Sequence, residues 1–302
     1  MNRAIRAAKW TALLFLAAIC LASAYYAYLM LTFDADKLPE NHGRVNVRLY
    51  VGEGENQPLL VAFGGAEGGN VWTGDRLQEQ RDRFLSQGYA FLAVAYFGEE
   101  GIPKEMDRIA LEGVYGAIAE ASNHPKINRD CIALLGGSKG AELALVLASR
   151  YPTIKAVVGI VPGNAVFAAN TALMNTSSFS SNGESLPFVP VPWSAVPSLI
   201  TGDLRGAWDA MLEDENAVAK AAILVEKING PIFLISATRD EFWPSAEMSE
   251  AMVQRLTKHG FRHPVEHVAI DGTHSAPLDH FDLMEESLRR NFLAENANDC
   301  PR

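Results

Sequence analysis

"CIALLGGSKGAELALVLAS", residues 131–149, decides how the rest of the chain reads. It begins as a short apolar run, breaks at Gly136 and Gly137, places Ser138, and resumes after Lys139 and Gly140 as an Ala/Leu-rich stretch. The first half fits a buried strand and the second a helix. Between them, Gly136-Gly137-Ser138-Lys139-Gly140 matches G-x-S-x-G at a strand-to-helix turn, the pattern of a nucleophile elbow. Glycines on both sides remove side chains that would collide with the strand and the helix. The hydroxyl is then presented beside a helix N-terminus, where unpaired N–H groups favour developing negative charge. The pentapeptide alone is common; its place between strand and helix carries the reading. Lys139 opposes the helix dipole, which Glu142 would offset; a solvated or paired lysine is expected ahead of a substrate contact.

Outward from this turn, strand-like and helix-like segments alternate. Strands are expected at 44–51, 58–63, 90–97, 131–136, 155–161, 231–237 and 265–270. Helices are expected over 75–87, 103–124, 245–259 and 277–294, besides the one that follows Ser138. Apolar strands separated by helices imply an α/β fold with a mostly parallel sheet covered on both faces. Chemistry in such sheets gathers at the carboxyl ends of the strands, which limits the search to a few loops.

A serine hydroxyl needs a positioned base. In the order Ser, acid, His, Asp240 follows the strand 231–237 and His274 follows the strand 265–270. Asp240 would orient the imidazole and His274 would move the proton. His267 falls in a strand and His280 in a helix, and both read as structural. His259 and His263 flank a turn, and His42 and His124 lie away from the strand tops. Glu241, next to Asp240, should point elsewhere. An oxyanion hole is expected from the backbone N–H of Lys139 and of Ala66, in the loop Gly64-Gly65-Ala66-Glu67-Gly68-Gly69. Gly65, Glu67 and Trp243 are expected to contact substrate.

Residues 163–230 interrupt the alternation. The stretch is rich in Ser, Pro and aromatics, and long connections of this kind are usually functional or disordered. It is expected to form a lid or acyl pocket, with Phe179, Phe188 and Trp193 among its walls; a surface loop without substrate contact is the rival. The whole chain has 302 residues, is 48% apolar and carries a formal net charge of −10. That charge argues against a nucleic-acid partner, which needs a concentrated basic surface. Cys20, Cys131 and Cys300 show no metal-site spacing. Cys131 reads as a core thiol and Cys300 as free, and no metal or organic cofactor is expected.

At the N-terminus, Arg3, Arg6 and Lys9 precede an uncharged run from Trp10 to Phe33, 24 residues long. That length suffices to cross a bilayer core of ~30 Å. Basic residues before the run, and Asp34 and Asp36 after it, predict a single-pass anchor over 1–33 with the body, 34–302, on the exported side. The alternative is a secreted or periplasmic protein after cleavage near the "ASA" at 22–24.

Six segments carry a family resemblance: "GIPKEMDRIALEGVYGAI", "NHPKINRDCIALLGGSKGAELALVLAS", "KAVVGIVPGNAVF", "EKINGPIFLISATRDEFWPS", "RLTKHGF" and "IDGTHSAP". Over about 57–295 the chain resembles the C-terminal catalytic domain of the acyl-CoA thioesterase and bile-acid-CoA:amino-acid N-acyltransferase family, close to dienelactone-hydrolase-like enzymes. The G-x-S-K-G-A-E-L and D-x-x-W-x-S matches are its most specific parts. The resemblance implies an α/β-hydrolase fold and a triad at Ser138, Asp240 and His274. In that family serine at the nucleophile position accompanies hydrolysis, and cysteine accompanies transfer to amino acids. The expected substrate is an acyl thioester, with CoA as one leaving group. A carboxylesterase of the dienelactone-hydrolase kind and a noncatalytic binding protein on the same fold are the alternatives.

Overall fold

A computed structural model describes residues 2–293. The chain divides into two units, residues 1–38 and 39–302. The first is dominated by one helix, α1 (Asn2–Thr32). Within it, Arg6–Thr32 contains an 18-residue window with a mean hydropathy of 1.9, none of it buried. Its length and composition suit a membrane span and suit a signal sequence equally.

The second unit carries ten strands among the described residues: β1 (Asn46–Tyr50), β2 (Gln57–Phe63), β3 (Ala90–Ala95), β4 (Ile109–Ala110), β5 (Ile127–Gly137), β6 (Ile154–Ile160), β7 (Phe179–Ser181), β8 (Glu184–Ser185), β9 (Ile232–Ala237) and β10 (Val265–Ile270). Eight helices accompany them: α2 (Gln78–Ser86), α3 (Leu111–Ser122), α4 (Lys139–Arg150), α5 (Val196–Thr201), α6 (Leu204–Leu212), α7 (Glu215–Ala221), α8 (Ser245–Lys258) and α9 (Phe281–Ser287). Seven strands form one sheet in the order β1-β3-β2-β5-β6-β9-β10. Only β1 runs antiparallel to its neighbour. This is the mostly parallel sheet that the apolar runs predict.

Alternation along the central strands makes two cores. Leu59, Val61, Phe63, Leu134 and Leu234 face one layer, with side chains of α3, α4 and α8. Leu60, Ala62, Leu135 and Ile235 face the other, with Phe84 of α2 and Met284 of α9. At ~25 cal/mol per Å² of apolar surface removed from water, these layers hold the strands in register and so fix where each strand ends.

Three expectations need correction. The helix expected over 103–124 begins only at Leu111, because Ile109 and Ala110 pair with Phe179 and Ser180 and Arg108 takes a positive φ of 45°. A pairing 70 residues away outweighs local helical periodicity. The helix expected over 277–294 is broken into a 3-10 turn at Ala276–Asp279, α9, and a π turn at Leu288–Phe292; residue 294 lies outside the described residues. Cys131 is disulfide-bonded rather than a core thiol, and Cys300 lies outside the described residues. The insertion, for its part, is ordered. It holds β7, β8 and α5–α7, and its own core joins Ala165, Phe167, Val189, Ala207 and Met211 to Trp243 and Met248.

Candidate active site

The turn between β5 and α4 is built by close backbone approach. A Cβ on Gly136 would stand 2.1 Å from the carbonyl oxygen of Gly140, and one on Gly140 would stand 2.2 Å from that of Gly64. Ser138 between them takes φ 53°, ψ −119°, a conformation that costs a non-glycine residue ~1–3 kcal/mol. Its N–H donates to Ile160 O at 2.8 Å, which ties the turn to the end of β6. The hydroxyl is not spent on capping its own helix. The Lys139 amide opens α4, where first-turn N–H groups lack intrahelical acceptors.

Asp240 and His274 come together from the loops after β9 and β10. His274 Nδ1 lies 2.8 Å from Asp240 Oδ1 and 2.9 Å from Oδ2. Asp240 is 2% exposed and also accepts hydrogen bonds from Ser245 Oγ at 2.6 Å and from the Phe242 and Trp243 amides. Burial pushes its carboxyl up, but the hydrogen bonds from His274 and Ser245 outweigh burial and hold it below its usual range. Glu241 does point elsewhere: its Oε2 accepts the backbone N–H of His274 at 2.8 Å. Adjacent carboxylates thus hold one residue by its ring and its main chain. Ser245 and Glu241 carry no role in the sequence reading; the D-x-x-W-x-S match contains Ser245, but its partner is visible only in three dimensions.

The other histidines make separate contacts. His267 Nε2 lies 2.7 Å from Ser236 Oγ, and His42 Nε2 lies 2.9 Å from Ser180 Oγ. His280 sits at the start of α9 rather than inside a helix.

Two cavities meet at Ser138 and share Ala66 and Phe242. One, about 410 Å³, is lined by Gly64, Gly65, Glu67, Arg76 and His274. The other, about 260 Å³, is apolar and lies under the insertion, lined by Met174, Leu199, Leu204, Trp208, Met211 and Trp243. Ser138 and His274 thus face one space, although no hydrogen bond joins the Ser138 hydroxyl to His274 among the described residues. Such contacts commonly tighten only with substrate in place. Tyr96 donates its hydroxyl to the Gly64 and Gly65 carbonyls, at 2.9 and 3.2 Å, and so fixes the glycine-rich loop. Gly65, Ala66, Glu67 and Trp243 all border the cavities.

The expected aromatic walls do not. Phe179 is fully buried in β7, within the core shared with α3 and α4. Phe188 packs against that same core. Trp193 is 83% exposed and lines neither cavity. Within the insertion the lobe takes its apolar surface from Met174, α5 and α6 instead. Among the described residues, no cluster of three His, Cys, Asp or Glu side chains could hold a metal ion.

Lys139 is not solvated. Its Nζ lies 2.6 Å from Glu142 Oε2, both side chains are buried, and Glu142 Oε1 accepts the Phe167 amide at 3.1 Å. Burial pushes the lysine down and the glutamate up, and each partner counters part of the shift. Glu142→Ala should lower stability by about 3–5 kcal/mol, because it strands a buried ammonium. The urea midpoint at unchanged slope reads this out. A loss under about 1 kcal/mol would mean that the lysine escapes to water.

Against known proteins, the family described as "BAAT / Acyl-CoA thioester hydrolase C terminal" matches residues 112–275. The peroxisomal succinyl-coenzyme A thioesterase of Mus musculus is 28% identical over 230 residues, covering 76% of this chain and 51% of that protein. Acyl-coenzyme A thioesterase 6 of Mus musculus is 30% identical over 233 residues, with the same coverage. The chain therefore spans about half the length of these relatives. Among solved structures, the alpha/beta hydrolase GrgF from Penicillium sp. superposes with a TM-score of 0.51 at 15% identity, over 81% of this chain and 96% of that one, which shows the fold alone.

Proposed function

Because the chain belongs to the family of BAAT and acyl-CoA thioester hydrolase C-terminal domains, we propose that it hydrolyses acyl thioesters or esters through Ser138, His274 and Asp240. The observation that carries this reading is His274, held by the buried Asp240 carboxylate and facing the same cavity as a strained serine at a helix N-terminus. His274 Nε2 takes the Ser138 proton as Oγ attacks the carbonyl carbon. The resulting oxyanion is held by the Lys139 and Ala66 amides; one such donor contributes ~3 kcal/mol. His274 then passes the proton to the departing thiol or alcohol. Water, deprotonated by the same imidazole, attacks the acyl-enzyme, releasing the acid and restoring Ser138. Asp240 keeps Nδ1 protonated, so that Nε2 is the basic nitrogen. The acyl chain occupies the apolar lobe and the leaving group lies toward Glu67 and Arg76.

The body is anchored by α1 and sits on the exported side. The α1 hydropathy and the disulfide at Cys131, which suits an oxidising compartment, support this.

A substrate panel tests the reading. A fluorophosphonate should label the chain with one equivalent, and acyl-CoA thioesters should turn over faster than p-nitrophenyl esters of the same acyl group. The reverse preference would make it a carboxylesterase. A folded chain that takes no label and hydrolyses neither would be a binding protein.

A further inference from the structure

Large apolar side chains on the surface of residues 39–293 are few and unevenly placed. The two most exposed are Trp193, at 83%, and Ile200, at 80%. Leu204 and Phe242 are partly exposed as well, and both line the apolar lobe beside Ser138. Single exposed apolar residues are ordinary, but a group of them at the mouth of an apolar cavity marks an interaction surface. The 3-10 turn Trp193–Ala195, α5 and α6 pack against one another, so these residues share one part of the insertion. Leu204, the first residue of α6, is both exposed and on the wall of the lobe, which joins this part of the insertion to the cavity mouth.

The chemistry of this face selects its partner. Residues 186–202 contain no charged side chain and no histidine, and the exposed Asp203 beside Leu204 is engaged by the Gly206 amide at 2.9 Å. Arg205, the cation of α6, is tied to Asp209 and Glu247 at 2.9 Å each, and so is not offered to an anion. Tryptophan with flanking aliphatic residues suits the boundary between headgroups and acyl chains. The same chain carries an apolar helix long enough to reach a bilayer. We propose that Trp193, Ile200 and Leu204 form a lipid-contacting face for zwitterionic membrane, through which acyl substrates enter the lobe beside Ser138. The proposal rests on the anchored reading of α1 and deepens the hydrolase reading by naming membrane-partitioned acyl lipids as the substrate source.

The test uses the full chain in phosphatidylcholine vesicles, with and without brominated acyl chains, and compares it with Trp193→Phe. Trp10 of α1 contributes equally to both proteins, so the difference between their emissions reports residue 193. That difference should fall at least two-fold on bromination. Ile200→Ser should cut turnover of a long-chain substrate presented in vesicles about ten-fold, and change turnover of a soluble short-chain ester less than two-fold. A chain that does not float with vesicles overturns the anchor reading and the proposal with it. A floating chain whose difference emission is unquenched overturns the face alone. If that chain also forms a dimer lost on Ile200→Ser, the face belongs to a second copy instead. Equal losses on both substrates would overturn the entry route. No turnover of either substrate by the unaltered chain would sink the hydrolase reading, while the quenching result would still stand for the face.

Discussion

Replacing Ser138 by alanine should abolish fluorophosphonate labelling and lower kcat by about 10⁵- to 10⁶-fold, the loss typical of removing a serine nucleophile. The folded state should hardly notice. The hydroxyl caps no helix, and the unusual backbone angles at this position strain alanine and serine alike. Thermal unfolding should therefore stay within the ±0.5 kcal/mol usual of changes that remove no packing or hydrogen bond. A paired measurement of kcat and unfolding midpoint checks both halves. Turnover retained within ten-fold would move the nucleophile to another side chain and remove the role given to His274.

The second large effect is structural. Gly136→Ala would place a methyl 2.1 Å from the carbonyl oxygen of Gly140, 2.3 Å from its carbonyl carbon and 2.6 Å from the Ala141 nitrogen. All three are backbone atoms of α4, so no rotamer relieves the clash; the helix must leave the sheet. A loss of about 4 kcal/mol or more is expected, at the upper end for a single substitution. Gly137→Ala is the control, since nothing lies within 4 Å of a Cβ there. Denaturant midpoints for the two variants decide the matter. Equal midpoints would show that α4 does not need the close approach described.

How much of this was legible depends on the range of the interaction concerned. The serine turn could be read because its reason is local: two glycines, a serine and a small-residue helix lie within a dozen positions. Asp240 and His274 could be read because parallel strands end where chemistry gathers, and both residues follow apolar runs. The start of α3 could not, since it is set by Ile109 and Ala110 pairing with Phe179 and Ser180. That pairing also explains the misplaced walls: an aromatic in β7 is drawn into the core rather than left over the serine. Trp193 failed for the opposite reason, because composition shows that an aromatic lies in the insertion but not which way its surface faces. Lys139 shows a third limit. A cation in the first helical turn suggests a partner, but its burial beside Phe167 and Phe179 follows from the fold of the insertion.

The contact of Gly140 with the Gly64 carbonyl leaves no side chain to act as a cushion between the helix bearing the serine and the loop bearing Ala66. A shift of either piece therefore presses directly on the backbone of the other. A change in one displaces the other, so on the proposed mechanism the spacing between Ser138 and the Ala66 amide is set by this backbone contact. Adaptation to a new substrate would have to come from α5 and α6, which touch the cavity without supporting the turn.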